Sequence, residues 1–160
     1  MPRFQEGTSI PTVTNQIHKL ISDSTVGMAE SGLDVGVYLA MPASGRGSDD
    51  VYVGDIREWT QEITQSRGGR DGRHKRDESY FLDINIFITR QDVDEANAQA
   101  WRIWNVIDGI LAENPDLQLD IPTLVVGQNR TGMTNMTYDE QDRGWRSRIH
   151  MNISVTTKLG

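Results

Sequence analysis

The most constraining feature of the chain is a two-residue alternation over the segment 144–157. Apolar residues take one parity: Trp145, Ile149, Met151, Ile153 and Val155. Polar residues take the other: Arg146, Arg148, His150, Asn152 and Ser154. Because successive side chains of a β-strand point to opposite faces, this pattern predicts a sheet with one apolar face. We expect the other face to be wet or to be covered by something polar.

Similar alternation predicts three more strands, over 33–41, 51–63 and 80–90, and another strand is expected after Pro122, over 123–138. In the first of them every second residue from Leu33 to Met41 is apolar. In the second, Asp55 and Arg57 interrupt the parity of Val51, so we expect its face to be partly exposed. The third places Leu82, Ile84, Ile86 and Ile88 on one face.

Two segments have apolar residues at helical spacing and therefore predict helices. The first covers about 12–29, with Pro11 and Thr12 as start signals. The second begins at Asp92, which with Glu95 resembles a capping box, and ends at Asn114-Pro115. The order α-β-β-β-α-β-β with mostly hairpin connections predicts an α+β fold. We expect an antiparallel, at most mixed, sheet of about five strands packed against two helices.

A glycine-rich basic insert, 65–79 (QSRGGRDGRHKRDES), lies between the second and third predicted strands. Its net charge is +2 while the whole chain has −7, so the rest of the chain has −9. Hairpin connections are usually about two to five residues long, and longer ones are often functional or disordered. We therefore expect a long β-hairpin with a mobile, positively charged tip. The alternative is a solvated loop without a partner.

Composition narrows the class of protein. A chain of 160 residues is expected to form a single domain, 1–160. No cysteine is present, which excludes disulfides and thiolate metal sites and favours an intracellular protein. No apolar run is long enough for a membrane span or a signal-peptide core, so we expect a soluble protein with no membrane partner. The pI near 4.9 argues against general affinity for nucleic acid, so that any DNA contact must be local.

Signatures of catalysis are absent from the sequence. The three histidines, His18, His74 and His150, show no metal-ligand spacing, and no P-loop, nucleophile elbow or cysteine nucleophile occurs. We therefore expect no enzyme activity, no metal and no cofactor. Of the tryptophans, Trp104 and Trp145 are predicted to lie in the core. Surface candidates for a protein interface remain, and they are Trp101, Arg146, Arg148 and His150.

Five segments together carry a resemblance to a known family. They are the N-terminal helix, the VGVYLAMP strand, the long hairpin with an Arg-rich tip running into RDESYFLDINIFITR, the helix beginning DVDEANAQAWRIW, and the final pair of strands. This arrangement resembles the tail terminator proteins of long-tailed, non-contractile bacteriophages, including the lambda-like minor tail and head-tail joining proteins.

The resemblance implies a non-enzymatic ring, typically of six copies, at the head-proximal end of the virion tail, assembled in the host cytoplasm. Such a ring stops polymerisation of the tail tube protein and offers the surface for the head-completion or connector protein, while DNA passes through it. Within that frame the basic insert contacts a neighbouring ring or makes non-specific contact with DNA. The candidate contact residues are Arg67, Arg70, Arg73, His74, Lys75 and Arg76.

Three alternatives stay open. The chain could be a related assembly protein, either the head-side connector or stopper or the tail tube protein. It could be a small nucleic-acid-binding module that uses the basic insert. It could also be an enzyme or small-ligand domain with a site on the polar sheet face, for which Asp83, Asn85 and His150 are the residues to test.

Overall fold

A computed structural model describes residues 7–30, 35–39, 49–65, 75–120, 123–138 and 144–159 of the chain. The element order is the predicted one, α-β-β-β-α-β-β. The elements are α1 (Ile10–Glu30), β1 (Gly36–Tyr38), β2 (Asp49–Gln65), β3 (Lys75–Arg90), α2 (Val93–Glu113), β4 (Thr123–Tyr138) and β5 (Gly144–Leu159). Both helices begin within two residues of the predicted positions.

The five strands form one sheet in the order β1-β2-β3-β5-β4. Every neighbouring pair is antiparallel except β1 and β2, which run parallel. The predicted α+β class and the mixed, mostly antiparallel sheet are therefore confirmed. β3 and β5 lie at the centre and pair over fifteen residues, from Arg76 with Leu159 to Arg90 with Trp145.

Both helices pack on the same face of the sheet and form a single apolar core with it. α2 starts at Asp92, whose side chain accepts a hydrogen bond from the backbone N–H of Asp94 at 3.1 Å. Its buried stripe is Ala96, Ala100, Ile103, Ile107 and Leu111. From α1, Val13, Ile17 and Ile21 join this core, and β3 and β5 contribute the apolar parities predicted from the sequence. The opposite face of the sheet carries no helix in the described part of the chain.

The first strand is shorter than its alternation suggests. Strand pairing is limited to Gly36–Tyr38, and the predicted ends Leu33 and Met41 lie outside the described residues. Val35 is buried and Val37 packs against the core, but Leu39 is 43 % exposed. The alternation from Leu33 to Met41 predicted that Leu39 would share the buried face of Val35 and Val37. That prediction was wrong, because strand pairing ends at Tyr38.

Two bulges in β2 change which face its residues occupy. The register with β3 shifts between Gly54 and Ile56 and again between Arg57 and Thr60. Asp55 and Glu58 take positive φ angles of 51° and 52° at these places. After the first bulge Ile56, rather than Asp55, packs against the core. A simple alternation therefore fails at Asp55 and Ile56, while Trp59, whose indole donates to Glu78 on the core-facing parity of β3, is 49 % exposed.

The hairpin of β2 and β3 is confirmed as antiparallel and is longer than predicted. Ile63 pairs with Arg76 and Gln65 with Lys75, so the last five residues of the predicted insert belong to β3. The loop is thereby reduced to 66–74, which lies outside the described residues. No helix among the described residues has the length and apolarity that a membrane crossing needs.

The two predictions of core tryptophans have different outcomes. Trp104 is half-buried and packs against the core, as predicted. Trp145 is 36 % exposed although it shares the parity of Ile149, so its prediction was wrong. It lies at the end of β5 opposite Arg90 and Thr137, where the apolar core does not continue.

Candidate functional site

Of the six candidate contact residues in the basic insert, four lie outside the described residues: Arg67, Arg70, Arg73 and His74. The other two belong to β3. Arg76 is half-buried, and its Nη1 donates to Oε1 of Gln61 across the hairpin at 3.4 Å. Both residues lie in the last paired part of the hairpin before its loop, where Arg76 pairs with Ile63 and Lys75 pairs with Gln65.

A polar network on the helix-free face joins three neighbouring strands around Asp83. One oxygen of its buried carboxylate, Oδ1, accepts hydrogen bonds from Arg57 of β2 at 2.8 Å and from Asn152 of β5 at 3.0 Å. Nε2 of His150 lies 3.3 Å from the same oxygen. The hydrogen bond to Asp83 and its negative charge raise the pKa of the Arg57 guanidinium above its ordinary value. The network therefore ties β2, β3 and β5 together.

The position of His150 limits its chemistry. Its Nε2 lies 3.2 Å from a guanidinium nitrogen of Arg57 and 3.3 Å from the carboxylate of Asp83. Because a guanidinium only donates hydrogen bonds, the contact with Arg57 requires an unprotonated Nε2, while a hydrogen bond to Asp83 requires a protonated one. In either case this nitrogen is occupied within the sheet. The three residues proposed for an enzyme site do lie on adjacent strands, but they form internal contacts there.

The next row of this face combines arginines with an aromatic ring. Nε and Nη2 of Arg148 donate to Oδ1 of Asn85 at 3.0 and 2.8 Å. The guanidinium carbons of Arg146 and Arg148 lie 4.9 and 5.8 Å from the ring centre of Phe87, within the range of cation–π attraction. Arg146 is only 6 % exposed, so this row is not wet throughout.

A second polar centre lies near the loop end of the β2–β3 hairpin, where the carboxylate of Glu78 is fully buried. Oε1 accepts from the backbone N–H and the hydroxyl of Ser9 at 2.8 and 2.5 Å. Oε2 accepts from the indole N–H of Trp59 at 2.8 Å and from the side-chain amide of Gln61 at 3.0 Å. Thr157 of β5 lies 3.4 Å from Oε1.

These donors hold Glu78 in its ionised form. Burial opposes ionisation, but the hydrogen bonds from Ser9, Thr8 and Trp59 outweigh it and lower the pKa to about 2. Beside it, burial raises the pKa of the Tyr80 hydroxyl, which therefore stays protonated 3.2 Å from the hydroxyl of Ser9. The Glu78 centre thus fastens the residues before α1 to both strands of the hairpin and to β5.

The four candidate interface residues do not form one surface. Trp101 lies on α2, is 38 % exposed, and makes an edge-to-face contact with Trp104 at 5.5 Å between ring centres. Arg146, Arg148 and His150 lie on the helix-free face, on the other side of the sheet. An interface could therefore include Trp101 or this row, but a single flat contact does not cover both.

The described residues contain no group of three or more acidic or histidine side chains placed to hold a metal ion. Both polar centres consist instead of internal hydrogen bonds that connect strands, although Oδ1 of Asn152 in the Asp83 centre is buried without a hydrogen-bond partner. Sequence reasoning missed the Glu78 centre because it assigned Glu78 to the mobile loop. One signal was present: Glu78 has the same parity as Tyr80 and Leu82, which marks a residue that faces the core.

No family model and no curated protein matches the chain. Among solved structures, a chain of a structure described as "Virion of native gene transfer agent (GTA) particle" is similar, with a TM-score of 0.56 and 13 % sequence identity. The match covers 96 % of this chain and 99 % of that one. At this identity the likeness concerns the fold, and it extends over the whole of both chains.

Proposed function

We propose that this chain is a non-enzymatic structural protein of a phage-like virion. The observation that carries the proposal is the end-to-end likeness of its fold to a chain of a gene transfer agent particle. The polar centres around Asp83 and Glu78 support it, because their hydrogen bonds join strands and leave His150 Nε2 engaged.

Within that class we propose the role of a tail terminator. In this role six copies form a ring at the head-proximal end of the tail, stop the polymerisation of the tube and offer a surface to the head-side connector. An acidic body with a basic insert suits such a ring, since head-to-tail contacts join unlike surfaces of identical subunits. Support comes from the resemblance of the five sequence segments to tail terminator proteins and from the confirmed α+β architecture.

Native mass spectrometry and negative-stain electron microscopy of the purified protein, with and without tail tubes, test this role. We expect a closed ring, and rings at tube ends when tubes are added. Filaments formed by the protein alone would indicate the tube subunit instead. Rings that bind the head connector but ignore tube ends would indicate a head-side stopper. A monomer at all concentrations would contradict every ring role.

The contact of the basic loop with DNA is a separate part of the proposal. We expect neutralisation of Arg67, Arg70 and Arg73 to glutamine to flatten the dependence of DNA affinity on salt. The logarithmic slope should fall by about 0.9 for each phosphate that the variant no longer neutralises. A matched variant with three arginines exchanged for lysine should keep the slope. A wild-type protein without measurable affinity at low salt would show that the loop serves a protein contact.

A further inference from the structure

The sheet ends in two unlike edges. One is the outer side of β4, which we term the β4 edge. The other consists of β1 and the part of β2 that β1 does not cover, residues 55–62, which we term the β1–β2 edge. In the described residues no strand pairs with either of them from outside. Exposed strand edges offer unpaired backbone N–H and C=O groups to another strand.

From Thr131 to Tyr138 the β4 edge lacks the features that usually prevent such pairing. β4 has sixteen residues, and from Arg130 to Tyr138 its register with β5 has no shift. The stretch 131–138, TGMTNMTY, contains no charge and no proline. Thr131, Gly132, Thr134 and Asn135 are exposed. A Cβ atom at Gly132 would meet nothing within 4 Å, so the sheet face at this position is open as well.

The β1–β2 edge is different in charge and shape. Exposed residues dominate its β2 part, and Trp59 among them is held in place by the hydrogen bond of its indole to Glu78. This part carries three carboxylates, Asp55, Glu58 and Glu62, against the single guanidinium of Arg57, which is already bonded to Asp83. The sequence of β4 has one charged residue, an arginine at position 130. The two edges are therefore opposite in net charge.

Strand direction and register also match. β4 runs antiparallel to β5, β5 to β3 and β3 to β2, so β4 runs opposite to β1 and β2. A second copy placed beside the first with its sheet in line would therefore meet β4 in antiparallel pairing. When pairing partners are followed from strand to strand across the sheet, Gly132 is in line with Tyr38 of β1. In the same way Arg130 is in line with Gly54 of β2, which precedes Asp55.

We infer that the partner of the β4 edge is a second copy of this chain, which binds through its β1–β2 edge, so that the sheet continues from subunit to subunit. This inference rests on the proposed ring. Pairing of β4 with β4 would close after two copies, whereas joining of unlike edges repeats and allows a ring to close. Backbone hydrogen bonds supply the contact, and the opposite net charges of the two edges favour their pairing over the pairing of like edges.

Photo-crosslinking between isotopically distinct copies tests the inference. Thr131 is replaced by benzoylphenylalanine in unlabelled protein, which is mixed with ¹⁵N-labelled wild-type protein, assembled, irradiated and digested with trypsin. We expect the probe to crosslink to labelled peptides 20–46 or 47–57, which contain β1 and the first part of β2. The matched control has the probe at Ala98, an exposed position on α2, and should not label these peptides.

The outcomes separate the inference from the ring itself. Rings that crosslink to the labelled peptides 103–130 or 131–143, which contain the two parts of β4, would show symmetric pairing and overturn the inference. Rings that crosslink at neither edge would overturn it as well, while the ring role stands. A wild-type protein that stays monomeric overturns both.

Hydrogen exchange of the unmodified protein gives an independent measurement. The outward-facing backbone amides in 131–138 and in 35–39 should exchange at least tenfold more slowly in rings than in monomers. Equal exchange rates at both edges in the two states would overturn the inference, even where the probe variant fails to assemble.

Discussion

The backbone N–H and the hydroxyl of Ser9 both donate to Oε1 of Glu78, at 2.8 and 2.5 Å, across 69 residues of chain. Ser9 is the residue immediately before α1, and Glu78 lies in β3 near the loop end of the β2–β3 hairpin. A buried carboxylate thereby fixes the start of a helix to the centre of the sheet. The stability of this junction is the most direct quantity to measure.

Replacement of the carboxylate should weaken the fold. Glu78→Gln keeps the shape but puts an amide, which is a weaker acceptor with two protons to place, among Ser9, Trp59 and Gln61. We expect the free energy of unfolding in urea to fall by about 2 kcal/mol. Glu62→Gln, an exposed exchange of the same kind on β2, should change it by less than about 0.5 kcal/mol. Equal effects of the two variants would contradict the buried role.

The carboxylate of Glu78 should also contribute to the pH dependence of stability. The pKa of Glu78 is lowered from 4.5 to about 2 in the folded protein, so its ionised form stabilises the fold above the pKa of the unfolded chain. This contribution is lost as the pH falls from about 5 to about 2. We expect the free energy of unfolding to decrease less over this range in Glu78→Gln than in the wild type. Parallel curves for the wild type and Glu78→Gln would disprove the assignment.

A buried ion pair at the other end of the hairpin gives a third prediction. Arg90 donates to both carboxylate oxygens of Asp49, at 2.5 and 2.9 Å, and Asp49 is buried. Arg90→Ala leaves this carboxylate without its cation, so we expect a loss of about 3 kcal/mol in the free energy of unfolding. Arg102→Ala removes an exposed arginine from α2 and serves as the control, with an expected change below about 0.5 kcal/mol. A loss below about 0.5 kcal/mol for Arg90→Ala would show that the ion pair of Arg90 and Asp49 contributes little to the free energy of unfolding.

Proline substitutions separate assembly from folding at the β4 edge. Consecutive residues of a strand direct their N–H groups alternately to the two sides, so one of Thr131 and Gly132 donates towards β5 and the other outwards. Proline removes that donor. We expect one variant, Thr131→Pro or Gly132→Pro, to lose thermal stability, and the other to keep its melting temperature yet remain monomeric in native mass spectrometry. Rings in the thermally stable variant would contradict edge pairing.

Much of the architecture follows from periodicity. The alternation of Leu82 to Ile88 and of Ile149 to Val155 predicted the two central strands, and the stripe from Ala96 to Leu111 predicted α2. In these segments each residue keeps the same environment along the whole element, so that the local pattern and the tertiary packing agree. The α+β class and the mixed sheet were predictable for that reason.

Other features depend on which strands become neighbours. The bulges at Asp55 and Glu58 put Ile56 rather than Asp55 on the core face, and in the sequence only the charges of Asp55 and Arg57 mark the interruption. Glu78 was assigned to a loop because the charges around it resemble a solvated insert, yet Ser9, Trp59 and Thr157 surround it once β3 lies between β2 and β5.

The sequence by itself therefore determined the helices, the central strands and the apolar face, because these require only local period and burial. The tertiary structure alone decided the buried carboxylate of Glu78, the contact of Asp83 with Arg57 and Asn152, and the two unlike edges. Each of these depends on strand order and register, which bring together residues that are distant in the chain. A local pattern contains no information about that pairing.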